Sequence, residues 1–402
     1  MYIDCPPAVL DLLARLHDAG YEAYLVGGSL RDSLLGRPPH DWDIAASSLP
    51  AETLAVFADY RTIETGLRHG TVTVMTTDGG LPLPVEITTY RIDGDYLDAR
   101  HPTSVSFTRN LADDLARRDF TVCAMAWSPY AEGDGIVDLY DGRGDLSRRL
   151  IRCVGQPEQR FREDALRILR AYRFAAELGF DVDSATRDGA RFCAGLLARI
   201  SAERIAGELS RTVLGQNAAE ALGMMAADRV LGQICPDADP DSAAVLPALP
   251  RELEPRLAAL FWRAPTPDAA AALTGLRFPG AVIRRVTAAL ALRDLPLGAD
   301  ANLTARQLMR AGGQSAAADL LALRAAFGEE VDAYTLALTH TAARGDCTDL
   351  AHLAVTGSDL AALGIPRGPA IGRVLGQLLD AVIERPSLND RDQLMALARE
   401  LK

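Results

Sequence analysis

The sequence is nearly without lysine: Lys402 is the only one, so arginine carries almost all of its positive charge. A GC-rich genome is reason enough for that bias. Arginine is also the better residue for phosphates and base edges, being planar and permanently charged. Cysteine is sparse and scattered, and Cys5, Cys123, Cys153, Cys193, Cys235 and Cys347 form no CxxC pair. That scatter speaks against a zinc site or a disulfide framework and for reduced thiols in a cytoplasm. Long hydrophobic runs are missing as well, because Arg or Asp breaks each apolar stretch well short of a membrane span. The start, MYIDCPPAVL, has no basic n-region and no long apolar run, so no signal peptide is expected. Neither GxGxxG nor a P-loop pattern occurs, which excludes a Rossmann or Walker-type site.

What is present describes a globular protein. At 402 residues the chain suits two to four domains, and its 49% apolar and 24% charged shares are ordinary. The net charge of -12 sits awkwardly with a nucleic-acid partner. Between Asp141 and Ala175, however, nine Arg stand against five acids.

Residues 7–19 repeat apolar positions at helical spacing up to Gly20. A short strand, YEAYLVGG, leads into a two-turn helix, SLRDSLLG, and HDWDIAAS reads as a second strand. TVTVMT (71–76) and PVEITTYR (84–91) are further strands joined by a turn at Asp78-Gly79-Gly80. The first ~130 residues are therefore α/β with a small sheet. From about Pro157 the chain is helical and rich in Ala, Leu and Arg, with Pro-rich breaks at 236–251 and 264–267. Near the end, GSDLAALGIPRGPAIGRVL has a Gly/Pro turn feeding a helix; its amides could hold a phosphate, or the turn could simply join two helices.

Asp41-Trp42-Asp43 carries the clearest chemical signal. On a strand, residues i and i+2 share a face, so the two carboxylates converge. They repel unless a cation lies between them, and Mg²⁺ suits one or two carboxylates plus substrate phosphates. A lone DxD is more often an acidic loop or a cap. Here Gly27-Gly28-Ser29 follows a strand and opens a helix bearing Arg31, so backbone N–H groups and a guanidinium can gather on phosphate oxygens. A phosphate cradle beside paired carboxylates is the layout phosphoryl transfer needs. Glu86 is either a third carboxylate or a solvated strand residue. Arg117-Arg118-Asp119 and the Arg-rich helix around Arg167 have a bland reading too, as exposed charge.

The string LVGGSLRDSLLGRPPHDWDIA resembles the active-site signature of the class II (bacterial-type) tRNA nucleotidyltransferase and poly(A) polymerase family. The resemblance continues through RHGTVTV, EITTYR, DLARRDFTVCAMA, VDLYDGRGDL and REDALRILRAYRF, in order over roughly residues 24–180, and more weakly to the C-terminal segment. It implies an α/β head (1–137) with a small mixed sheet, then a helical neck (138–215), body (216–300) and tail (301–402). It implies Asp41 and Asp43 as Mg²⁺ ligands, catalytic together with Glu86. Gly27, Gly28, Arg31, Arg118, Asp119, Asp164, Arg167, Arg170 and Arg173 would bind nucleotide, and Arg100 and His101 would lie on a flexible loop.

Asp164 and Arg167 stand at i and i+3, neighbours on one face of a helix. Asp only accepts hydrogen bonds and Arg only donates them, which matches cytosine and adenine and rejects guanine and uracil. Members similar to this chain use that pair as a protein template. Arg173, nine residues on, is a half-turn away from Asp164 and is chosen by family pattern alone. In two places the chain departs from the pattern. Cys123 replaces a usual Asn, whose hydrogen bonds a thiol cannot reproduce, and Ala99 stands where Gly is common. The implied function is addition of C, C and A to tRNA from CTP and ATP, with neither DNA nor membrane as partner. The alternatives are A-only addition, bacterial poly(A) polymerase, or a non-catalytic RNA binder on a retired transferase fold.

Overall fold

The computed structural model describes residues 3–94 and 105–401; Arg100 and His101 lie outside them. The chain forms two compact units that meet in sequence at Pro236 and Asp237, inside the span expected for the body. The first unit is α/β and then helical, and the second is helical throughout, as the sequence predicts.

The helix expected first is α1 (Pro7–Asp18). Its Val9, Leu12, Leu13 and Leu16 are fully buried, one apolar face at helical spacing, against a mixed sheet. That sheet contains β1 (Ala23–Val26), β2 (Trp42–Ala46), β3 (Arg61–Ile63), β4 (Thr71–Asp78) and β5 (Leu81–Thr89). A two-stranded ribbon, β6 (Arg91–Asp93) and β7 (Val105–Phe107), stands apart from it; β8 (Met125–Trp127) and β9 (Ile136–Asp138) complete the sheet in the order β3-β4-β5-β2-β1-β8-β9. Within this sheet, among the described residues, β2 and β5 pair in parallel and the other neighbours are antiparallel. The expected turn between β4 and β5 is a two-residue loop in which Gly79 and Gly80 both have positive φ. Such a tight hairpin requires that conformation, and glycine adopts it without strain.

Alternation along the strands sets the two faces. Val72, Val74, Val85, Ile87, Trp42 and Ile44 are buried, while Thr71, Thr73, Asp43, Glu86 and Thr88 are half-buried or exposed. The head also contains α2 (Gly27–Leu34), α3 (Pro50–Val56) and α4 (Leu111–Ala116). Next come α5 (Gly142–Arg148), α6 (Pro157–Glu163), α7 (Leu166–Leu178), α8 (Ser184–Cys193) and α9 (Ala202–Val213). The central one, α7, packs on α9 and is buried nearly all round, including Arg167 and Arg173. Arg37, between α2 and β2, donates to the carbonyls of Glu177 and Leu178 and so satisfies the open C-terminal end of α7.

In the second unit one core gathers Leu292, Leu308, Leu320 and Leu321, and another gathers Leu360, Leu378, Val382 and Leu394. Its Gly/Pro turn joins the helices Gly357–Ala362 and Pro369–Glu384. All six cysteines are buried, and none is in a disulfide. Among the described residues no helix is long and apolar enough to cross a membrane.

Candidate active site

A cleft of about 640 Å³ opens over the polar face of the sheet, in the first unit. Gly27, Gly28, Arg31, Asp41, Asp43, Glu86, Arg118, Asp119, Asp164, Arg167, Arg170 and Arg173 all line it. Residues as far apart in the sequence as Val26 and Arg211 thus share one space, with nine arginines and six carboxylates on its walls. The negative net charge of the chain therefore does not describe this surface.

The parallel register of β2 and β5 sets Asp43 directly beside Glu86, which is exposed and lines the same cleft. Asp41 immediately precedes β2. Burial first, and then the charges of Asp41 and Glu86, push the Asp43 carboxyl up to about 6; Arg118 works against them. Mutual repulsion of this kind is relieved by a bound cation.

The turn from β1 into α2 brings the backbone to the same point. Gly27 has φ +71°, and a Cβ there would lie 3.4 Å from Arg118 Nη1 and 3.6 Å from Asp43 Oδ2. Arg31, one turn further on, is buried and makes a two-pronged ion pair with Asp32, 2.8 Å for each bond. Its Nη1 also donates to Cys123 Sγ at 3.5 Å, a weak stand-in for the carbonyl an Asn would offer. Arg31, Arg170 and Arg173 surround the ring of Phe174, at 4.9, 5.3 and 4.1 Å from its centroid. Arg118 is held by Asp114 at 2.9 Å, and its buried Nε has no hydrogen-bond partner among the described residues.

The expected pairing of Asp164 and Arg167 on one helical face does not form. Asp164 is the extended residue between α6 and α7, with φ -139° and ψ 104°. Its Oδ1 accepts from Leu166 N at 3.0 Å, beginning α7, and its Oδ2 accepts from Arg204 at 2.9 Å. A side chain that competes for free backbone N–H groups ends one helix and starts the next. Arg167 is on α7 and donates to Glu163 at 2.8 Å and to the carbonyls of Arg160 and Arg117. Both line the cleft with hydrogen-bonding capacity left over, since a carboxylate accepts about four bonds and a guanidinium donates five.

The same break explains Arg173. Counting 100° per residue from Asp164 fails because Asp164 is not helical. Arg173 is 2% exposed and held by Glu208 at 2.7 Å and Glu177 at 3.0 Å. Arg170 is paired with Asp119 at 2.6 Å. Burial raises the Asp119 carboxyl, but Arg170 and Arg167 outweigh it and hold the group below its ordinary range.

Sequence reading missed Arg204 and Arg211, which reach the cleft from α9. Their spacing of seven marks one face of a helix, and that was the available signal. Buried Nη1 of Arg204 has no hydrogen-bond partner among the described residues. Conversely, Arg143, Arg148 and Arg152, part of the basic stretch, are tied to Asp134, Asp141 and Asp145 outside the cleft. They balance local acids.

Residues 23–152 match the model of the poly A polymerase head domain, and residues 252–398 match tRNA nucleotidyltransferase domain 2. The chain is 37% identical to a CCA-adding enzyme of Limosilactobacillus fermentum, across 100% of this chain and 99% of that one. It is 36% identical to a CCA-adding enzyme of Lactiplantibacillus plantarum, across 98% and 95%. The crystal structure of the Bacillus stearothermophilus CCA-adding enzyme in complex with CTP matches with a TM-score of 0.81 at 33% identity, covering 98% of this chain and 96% of that one. With full-length likeness at this level and a cleft that assembles the motif residues, the chain belongs to the class II tRNA nucleotidyltransferase and poly(A) polymerase family, among its CCA-adding enzymes.

Proposed function

We propose that this chain works in the cytoplasm, adding C, C and A to the 3′ end of tRNA from CTP and ATP with Mg²⁺ as its metal. The observation that carries the reading is the single cleft in which Asp41, Asp43 and Glu86 face the arginines of α2 and α7. Relatives named as CCA-adding enzymes along their whole length favour this programme over A-only or poly(A) addition.

Among the described residues no three His, Cys, Asp or Glu are gathered closely enough to hold an ion by themselves. That fits a hard cation completing its shell with phosphates and water, and Asp41 and Asp43 would hold it. When bound, it would neutralise charge on the transferred phosphoryl group. Gly27 and Gly28 bring backbone close to the triphosphate, and Arg31 and Arg118 bind its oxygens. Glu86, beside Asp43, accepts the proton of the attacking hydroxyl. Asp119 and Arg170 exchange their mutual ion pair for ribose and phosphate contacts. Asp164 accepts from the exocyclic amino group of cytosine or adenine while Arg167 donates to the adjacent ring nitrogen. Guanine and uracil present the reverse order, and a mismatch leaves buried polar groups unpaired.

The test uses purified protein, Mg²⁺ and a tRNA transcript lacking CCA, with CTP alone, ATP alone or both. Two cytidines with CTP alone and CCA with both are expected. A single A from ATP on a second transcript that already ends in CC, with nothing from CTP on the transcript lacking CCA, would establish A-only addition, and long A tracts would establish a poly(A) polymerase. No product under any condition would support the RNA-binder reading.

A further inference from the structure

The carboxylates and the phosphate cradle occupy only part of the cleft floor. In sheet order the cradle lies at β1 and the carboxylates on β2 and β5, while Thr88 on β5 and Thr71 on β4 continue away from the cradle. The two threonines are cross-strand partners with hydroxyls 2.9 Å apart, and both line the cleft. Their neighbours Val72 and Ile87 point to the buried face, so the strand pleat holds both hydroxyls toward the open side.

Geometry of the reaction gives this position a meaning. In an in-line displacement the attacking oxygen approaches phosphorus opposite the leaving pyrophosphate. If the arginines and glycines at β1 and α2 hold the pyrophosphate, the attacking strand comes from the β5 and β4 side. Neighbouring strands are about 4.8 Å apart, so Thr71 and Thr88 lie roughly 5 to 10 Å beyond the strand of Asp43, about the span of one ribose. One hydroxyl donates to the other, which leaves one O–H to donate outward and lone pairs on both oxygens to accept. A ribose 2′-hydroxyl, itself donor and acceptor, is the complement of that pair.

We propose that Thr71 and Thr88 form the subsite for the terminal ribose of the acceptor RNA, holding its 2′-hydroxyl so that the 3′-hydroxyl faces Asp43 and Glu86. This rests on the function proposed above. It adds a sugar requirement on the acceptor strand that is separate from nucleotide selection by Asp164 and Arg167.

The experiment compares two tRNAs lacking CCA that end in a ribonucleotide or in its 2′-deoxy counterpart, each with a free 3′-hydroxyl. The measurement is kcat/KM for addition of the first C at saturating CTP, for the wild type and for Thr71→Val and Thr88→Val. Valine keeps the shape and β-branching that the strands need. The wild type should prefer the ribose terminus by about threefold to tenfold, as expected for one uncharged hydrogen bond. Each valine variant should bring the ratio close to one without weakening CTP binding, and Thr71→Ser and Thr88→Ser should restore the preference. A wild type indifferent to the 2′-hydroxyl, or valine variants that keep the wild-type ratio, would overturn the assignment; so would a loss confined to CTP binding. A wild type that extends neither tRNA would refute the proposed function instead.

Discussion

Two adjacent glycines should respond to the same substitution in opposite ways. Gly27 sits at φ +71°, a conformation L-residues enter at a cost of about 1–2 kcal/mol. Restricting the unfolded chain gives back about 0.4–1 kcal/mol, so Gly27→Ala should destabilise by about 1 kcal/mol. Sterics add little, because the new methyl would meet Arg118 Nη1 at 3.4 Å and Asp43 Oδ2 at 3.6 Å, which is ordinary contact. Gly28 is inside α2 with an ordinary backbone, and its Cβ would meet only Arg31 Nη2 at 3.7 Å. Gly28→Ala should therefore stabilise by about 0.5–1 kcal/mol, the usual gain of alanine over glycine within a helix.

Activity should separate the pair further. The Gly27 methyl projects between a guanidinium and a carboxylate, where the triphosphate must approach. We expect KM for CTP and ATP to rise together by about a hundredfold, and by under about tenfold for Gly28→Ala, on the basis that lost charge-assisted contacts are worth about 1.5–3 kcal/mol. Thermal unfolding gives the stability signs and steady-state kinetics with each nucleotide gives the rest. Equal stability effects at both positions, or a larger KM effect at Gly28, would refute the placement of the triphosphate against Gly27.

Asp43→Asn tests the carboxylate group through stability. The Asp43 carboxyl is raised from 3.8 to about 6, so the folded protein keeps a proton that the unfolded chain has lost between those values. Wild-type stability should then fall as pH rises through that window, by about 2–3 kcal/mol at roughly 1.4 per unit. Without metal, the Asn variant should be the more stable protein at pH 7, with the gap closing toward pH 4; a gap independent of pH in denaturation curves would contradict the repulsion. Asp41→Ala should abolish incorporation while tRNA affinity, measured by filter binding, stays close to wild type. Arg204→Ala removes the guanidinium that holds Asp164, and should lower kcat/KM for CTP and ATP alike by about tenfold, the worth of one charged hydrogen bond. An effect on only one nucleotide would show that Arg204 does not act through Asp164.

By itself the sequence determined the class order, the first helix and the main strands, because these rest on local rules, whereas Arg118, Asp119 and Arg173 were named through the family resemblance. Period-2 and helical patterns mark a buried face wherever one exists, and Gly-Gly before a helix and Asp-Trp-Asp on a strand are close in sequence as well as in space. Short strands such as β3, β8 and β9, three residues each, were illegible because no alternation can be read from so few positions. Tertiary structure alone decided which long-range neighbours meet. Strand register made Glu86 a partner of Asp43, and the packing of α9 on α7 delivered Arg204 and Arg211, about forty residues from Asp164 or more. It also decided that Asp164 breaks a helix that periodicity had drawn as continuous. The capping bond to Leu166 and the ion pair with Arg204 together outweigh one more helical turn, and only the second of those partners is invisible in the local sequence.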